Sequence, residues 1–182
     1  MLIKFSKKNA SVSVRGFSLV ELMISIAIIA IMTAIITTNF TGSRQQSRDG
    51  QRVSDIGQIQ LALSLYFDRC GIYPSLTGSI SANDLISSSC PDQLGETIPF
   101  TSYISKIPVP PTPLPSGSDA FYDYVTNSSA TDFVLHAQLE GTNSSATKNS
   151  LLHANLPTWF ASLSPVATFD CDSTVNYCVG SK

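Results

Sequence analysis

The sequence predicts an α+β protein: a long N-terminal α-helix, its N-terminal half transmembrane, packed through its second half on a small antiparallel β-sheet. Three observations predict this. Residues 22 to 43 carry no charge, a stretch of 22 residues that as a helix measures roughly 33 Å, enough to cross a hydrocarbon core of about 30 Å. Beyond it Val53, Ile56, Ile59, Leu63 and Phe67 recur three or four apart, the stripe of an amphipathic helix covering a core. Then Phe121 to Thr126 and Thr131 to Leu139, separated by a turn at Asn127 to Ala130, form a hairpin signal.

The chain has 182 residues, 43% of them hydrophobic and 13% charged, against about 25% charged in ordinary soluble domains. With 11 Lys and Arg against 13 Asp and Glu, it is no nucleic-acid binder acting by whole-molecule positive charge. A chain this apolar buries a core and is not disordered. The charge is unevenly placed. Residues 1 to 16 hold Lys4, Lys7, Lys8 and Arg15 and no acid, leaving 7 basic against 13 acidic residues after Gly16. The positive-inside rule places this N-terminus in the cytoplasm and everything after about residue 43 across the membrane.

The apolar run, Leu19 to Ile36, contains one charge, Glu21, with Ser25 and Thr33 as its other polar residues. It is longer than the 7–15-residue apolar region of a secretory signal peptide, and no small-residue cleavage site closes it. On hydropathy alone it is an uncleaved signal anchor. A carboxylate within such a helix costs a few kcal/mol, so Glu21 either reaches back to the headgroups or marks a function with a partner.

Gly16-Phe17-Ser18-Leu19-Val20-Glu21-Leu22 resembles the prepilin signature of type IV pilins and type II secretion pseudopilins. The resemblance implies cleavage between Gly16 and Phe17 by a prepilin peptidase on the cytoplasmic face, N-methylation of Phe17, and Glu21 as the assembly carboxylate that meets the terminal amine of a neighbouring subunit. Opposite charges at close range favour the ionised carboxylate. It further implies the lollipop fold of pilins, with residues 1–16 a leader, 17–43 the membrane and assembly helix, 44–70 its amphipathic half and 71–182 an extracytoplasmic globular domain. Implied partners are copies of the chain and other pilin-like subunits, the peptidase and methyltransferase, an inner-membrane assembly platform and membrane lipid. A helix from Phe17 to about Asp68 would measure about 78 Å. Where many pilins have a proline at the twenty-second mature residue, this chain has Thr38, although Thr37, Thr38, Asn39 and Gly42 are weak helix formers. Residues 58 to 75, QIQLALSLYFDRCGIYPS, resemble the helix end of major pseudopilins, with a Tyr-Pro pair after it.

Arg44, Arg48 and Arg52 lie four apart on one helix face, read as a solvated face beside Asp49 and Asp55 or as a contact with acidic surfaces of adjacent subunits. Gly71 and Pro74 mark the helix end. Residues 76 to 98 read as a Ser-rich loop with one short helix near Ser81 to Ser87, and 108 to 115, with five prolines in eight positions, as an extended connector. Along Thr131 to Leu139, Phe133, Leu135, Ala137 and Leu139 fall on the face expected to meet the helix stripe; Asp132, Val134, His136 and Gln138 fall on the outer face. Thr174 to Val179 is the expected third strand. Asn155 to Ser164, with Trp159 and Phe160, has no clear place.

Cys70, Cys90, Cys171 and Cys178 all lie beyond the membrane, where an oxidising compartment permits disulfides, and four cysteines allow three connectivities. Cys70 with Cys90 and Cys171 with Cys178 is the preferred pairing because each closes a short loop, the second resembling the C-terminal loop of many pilins. No zinc spacing is present. Asp170 and Asp172 are candidate calcium ligands without an EF-hand pattern, the plainer reading being a solvated acidic turn; no other cofactor is expected. Asn127 and Asn143 begin Asn-Ser-Ser sequons, common by chance in a Ser-rich chain. His136 and His153 stand apart from any nucleophile motif, and no catalytic signature occurs, so no enzyme is expected. Beyond residue 53 four basic residues face eleven acids, which argues against DNA binding.

The resulting expectation is a filament subunit of a pseudopilus or related machinery at the inner membrane, single-pass. Its rivals are a membrane-anchored extracytoplasmic binding domain that never polymerises and a competence pilin for DNA uptake.

Overall fold

A computed structural model of the chain describes residues 16–76, 81–91, 95–117, 120–142, 150–151, 156–160 and 170–181, with side chains omitted at 36–39. The basic leader residues Lys4, Lys7, Lys8 and Arg15, together with Asn143, His153 and the side chains of Thr37, Thr38 and Asn39, lie outside the described residues.

Helix α1 runs Leu19–Cys70, 52 residues. The chain divides into two units within it, Met1–Thr41 and Gly42–Lys182. In the first, the described side chains of residues 16 to 35 are all exposed; Leu19 is 74% and Ile31 64% accessible. An apolar helix uncovered all round needs an apolar surrounding. By length and composition no single described helix segment crosses a membrane alone; Leu19–Ile35 passes only taken together with Phe40–Cys70.

The second unit is built on the expected stripe. Ile56, Ile59 and Leu63 are fully buried in a core shared with Phe133, Leu135, Ala137 and Leu139, with Val53 and Phe67 packed at its margin. The sheet is antiparallel in the order β3-β4-β5, formed by β3 (Asp123–Thr126), β4 (Phe133–Gln138) and β5 (Asn176–Gly180). Leu135 sits opposite Tyr124 and Val179, so the inward face is continuous across three strands. Helix α1 stops where Gly71 adopts φ +74°, its N–H donating to Phe67 O at 2.7 Å; this left-handed cap costs glycine nothing.

The described part of residues 76 to 98 holds the expected short helix near Ser81 to Ser87 and adds a strand pair that a loop lacks. A 3₁₀ turn occupies Ala82–Ser87, with the Ser81 hydroxyl accepting from Asn83 N–H. A two-stranded pair, β1 (Ser89–Pro91) and β2 (Thr97–Pro99), follows, with Cys90 opposite Ile98. Three residues per strand are too few for period-2 alternation to show in sequence. Cys90 is tied to Cys70 at the helix end, anchoring this pair to α1.

The outer face of the sheet is a correction. Val134 is fully buried and His136 6% accessible. A second cluster covers that face: Val125, Val134, Phe160, Cys171 and Cys178, flanked by Leu151, Leu156 and Trp159. The unplaced aromatics therefore form a layer over the sheet, with Trp159 Nε1 donating to Asp132 Oδ2 at 2.8 Å. Asn127 closes the hairpin, its Oδ1 accepting from Thr131 and Asp132 N–H at 2.8 and 3.2 Å. Its Nδ2 donates to Thr131 Oγ1 at 2.9 Å, so both ends of the amide are engaged in the turn.

The disulfides join Cys70 to Cys90 and Cys171 to Cys178, spanning 20 and 7 residues. Loop-closure entropy scales with the logarithm of the span, giving about 3 kcal/mol for the first and about 2.5 kcal/mol for the second. Pairwise replacement by alanine in the detergent-solubilised chain is expected to lower the denaturation midpoint more for Cys70/Cys90. An unchanged midpoint for that pair contradicts the anchoring role.

Candidate functional site

Two regions concentrate chemistry. The first is the N-terminal segment. Gly16 to Ser18 precede the helix, Leu22 N–H donates to Ser18 O at 3.1 Å, and Glu21 lies in the first turn with its side chain exposed. The two hydroxyls in the apolar run are satisfied locally: Ser25 Oγ donates to Glu21 O at 2.8 Å and Thr33 Oγ1 to Ile29 O at 2.7 Å. Such bonds to the preceding turn let Ser and Thr sit in an apolar surrounding without an orphaned donor. Glu21 is thus the one charged side chain in a helical surface otherwise adapted to exclude water.

The second region is an ionic clasp in the outer unit. Arg52 is fully buried. Its Nη1 donates to Asp49 Oδ1 at 2.8 Å, and its Nη2 lies 3.0 and 3.1 Å from the carbonyls of Pro111 and Pro113 and 2.8 Å from Glu140 Oε1. Arg48 grips Glu140 through both Nε, at 2.7 Å, and Nη2. Asp49 completes the set by accepting the N–H groups of Glu140 and Gly141 at 2.8 and 3.0 Å. A Cβ at Gly141 would stand 3.3 Å from Asp49 Oδ2, so this approach suits glycine. The reading of Arg48 and Arg52 as a solvated face or an inter-subunit contact is therefore corrected: both charges are met within the chain. Spacing placed them on one face, but the acid that covers it lies about ninety residues away, and only the Glu140 that follows β4 could have signalled it.

Electrostatics follow the geometry. The Arg48 hydrogen bonds hold the Glu140 carboxyl below its ordinary range, and the same bonds raise Arg48. Next to the clasp, Tyr122 OH donates to Asp55 Oδ2 at 2.7 Å. Burial raises Asp55, the tyrosine bond partly offsetting it, and burial pushes Tyr122 upward. His136, placed on the outer face by alternation, lies there but buried, with Nδ1 2.7 Å from Asp123 Oδ2.

Asp170 and Asp172 sit in the Cys171–Cys178 turn, where Asp170 Oδ1 accepts Asp172 N–H at 2.9 Å. Among the described residues no group of three or more His, Cys, Asp or Glu could hold a metal ion.

An exposed apolar helix with a single carboxylate, and a unit in which a helix packs on a small antiparallel sheet, make an α+β, pilin-like arrangement. Residues 13–37 match the prokaryotic N-terminal methylation motif. The chain is homologous to type II secretion system core protein G. It is 28% identical to that protein of Pectobacterium carotovorum subsp. carotovorum over 97 residues, which is 53% of this chain and 61% of the relative. It is 27% identical over 97 residues to those of Klebsiella pneumoniae and Escherichia coli K12, covering 53% of this chain and 68% and 66% of theirs. The match thus spans about half of this chain and under two thirds of the Pectobacterium relative. No solved structure matches.

Arg52→Leu leaves Asp49 buried without its cation, while Glu140 keeps Arg48, and is expected to cost about 3 kcal/mol, measured by urea unfolding. Glu140 binds fewer protons folded than unfolded, so its contribution is present above the ordinary carboxylate value and is lost as pH falls through the lowered one. Asp55 has the opposite sign: its penalty develops as pH rises above the ordinary carboxylate value. Asp55→Asn keeps an acceptor for Tyr122 and is expected to stabilise the protein at neutral pH, the gain vanishing near pH 3. A gain that persists at pH 3 contradicts burial as the cause.

Proposed function

We propose that the chain is a structural, non-enzymatic subunit of a pseudopilus, the filament of a type II secretion system or related machinery, anchored first in the inner membrane with its N-terminus in the cytoplasm. The observation that carries this reading is the exposed apolar helix with Glu21 in its first turn, directly after a Gly16-Phe17 junction inside a methylation motif. Homology to core protein G supports the choice of machinery.

In this reading prepilin peptidase cuts between Gly16 and Phe17 and Phe17 is N-methylated. Cleavage removes four basic residues and creates one positive terminus. A carboxylate held in an apolar surrounding lacks a counter-ion until a neighbouring helix supplies one. The terminal amine of Phe17 on the next subunit is that counter-ion, so pairing sets the axial register between copies while the apolar surfaces supply most of the burial. The partners are copies of the chain, other pilin-like subunits, the assembly platform and the lipid left behind. DNA uptake is the less favoured use, given the acidic outer unit.

Two measurements test this. Intact mass spectrometry of membrane-extracted protein is expected to give a chain starting at a methylated Phe17; an intact Met1 leader supports a signal anchor instead. Glu21→Gln is expected to insert and be cleaved normally yet reduce filament yield at least about tenfold, and wild-type yield removes the role of Glu21.

A further inference from the structure

The outer unit has a cavity of about 380 Å³, open to solvent on one side, between β3, β4, the proline connector and the Cys171–Cys178 turn. Its lining is mostly polar. Asp123 and Asp170 bring two carboxylates; Arg52 also lines it, but its charge is balanced within the clasp by Asp49 and Glu140. His136 Nδ1 lies 2.7 Å from Asp123 Oδ2, so Asp123 has a partner in the lining and Asp170 adds a second negative charge. Phe121 adds an aromatic ring that is 38% accessible, and Pro110 and Pro115 add apolar wall. Beside those prolines, Val109 and Leu114 are 45% and 37% accessible, extending an apolar margin past the cavity.

We propose that this cavity receives a basic side chain, lysine or arginine, presented by another protein. The chemistry is complementary at each level. A long apolar stem with a charged tip suits a site with apolar walls and carboxylates. The carboxylates offer charge-assisted hydrogen bonds to the tip, and an aromatic face attracts a cation. Seven basic against twelve acidic residues from Gly42 to Lys182 give the unit a field that draws cations toward it. An anionic ligand would be repelled by both carboxylates, with the Arg52 charge already held by Asp49 and Glu140. The exposed Val109 and Leu114 favour a side chain carried on a polypeptide over a free amine, because flanking residues of the partner have apolar surface to cover.

The test uses the full chain in detergent micelles, titrated calorimetrically with acetyl-Gly-Lys-Gly-amide, its arginine and norleucine counterparts, and butylammonium. The basic peptides are expected to bind, with Kd at least about tenfold higher for norleucine, for butylammonium, and for the basic peptides on Asp170→Asn or Asp123→Asn protein that unfolds at the wild-type temperature. Equal binding of norleucine, or unchanged Kd in both folded variants, overturns the proposal. Butylammonium binding as tightly as the peptide assigns a free-amine site and overturns the protein-borne source. Calcium that binds at Asp170 and excludes the peptide overturns it in favour of a metal. Binding is read on unassembled protein, so this result and that of the filament tests fail or succeed separately.

Discussion

A guanidinium removed from water must have its charge met where it lies, and the architecture of the outer unit is arranged around meeting that of Arg52. Losing one partner of a buried pair costs more than the pair contributes, because the survivor stays desolvated. Asp49 comes from the preceding turn of α1, Glu140 from the residue pair just past β4, and two carbonyls from the proline connector. Three segments far apart in sequence are thereby held to one point on the helix. Prolines suit this role: the carbonyls of an extended Pro-rich run have no helix or ladder to serve and are available as acceptors. Asp49 then captures the Glu140 and Gly141 amides, so the clasp also fixes how the chain leaves the sheet.

The apolar core follows from that placement. With α1 held at Arg52, successive turns place Ile56, Ile59 and Leu63 against the inward face of β4, and the register across β3, β4 and β5 keeps that face continuous. The opposite face would be half apolar and wet if left open. It is closed by Trp159, Phe160 and the Cys171–Cys178 turn, which bury Val134 and leave His136 paired with Asp123. A three-stranded sheet gains independent stability when it is packed in this way.

What was legible in the sequence was whatever repeats. The 3.6-residue stripe located the second half of α1, period-2 alternation located β4 and its inward face, and Gly71 with Pro74 located the helix end to within a residue. What was not legible depends on partners without a period. Arg48 and Arg52 share a face with a simple spacing, yet whether that face is wet is decided by Glu140. Val134 and His136 look outward in the alternation, yet the layer above them is an aperiodic stretch recruited by Asp132 and a disulfide. The short β1 and β2 pair depends on the tether from Cys90 to Cys70, and the cavity on the meeting of four segments. In the N-terminal segment the methylation motif that contains Gly16, Phe17 and Glu21 was legible because it is one contiguous run of residues.

The same contrast separates two ways of handling charge in one chain. In the outer unit the charges of the clasp are balanced internally, Arg48 and Arg52 against Asp49 and Glu140. In the N-terminal segment hydroxyls are satisfied within the helix, but the carboxylate of Glu21 shares its turn with no basic residue. A side chain that takes its counter-ion from within the chain serves stability; one placed in an apolar helix surface without a basic neighbour in sequence is suited to take its counter-ion from another molecule. Sequence distance is what distinguishes them: Arg15 lies in the leader that the proposed cleavage removes, and after Glu21 the next basic residue is Arg44, about six helical turns along, beyond the reach of any side chain on the same helix. The placement of Glu21 therefore favours an interaction made between chains, whereas the clasp is complete in one.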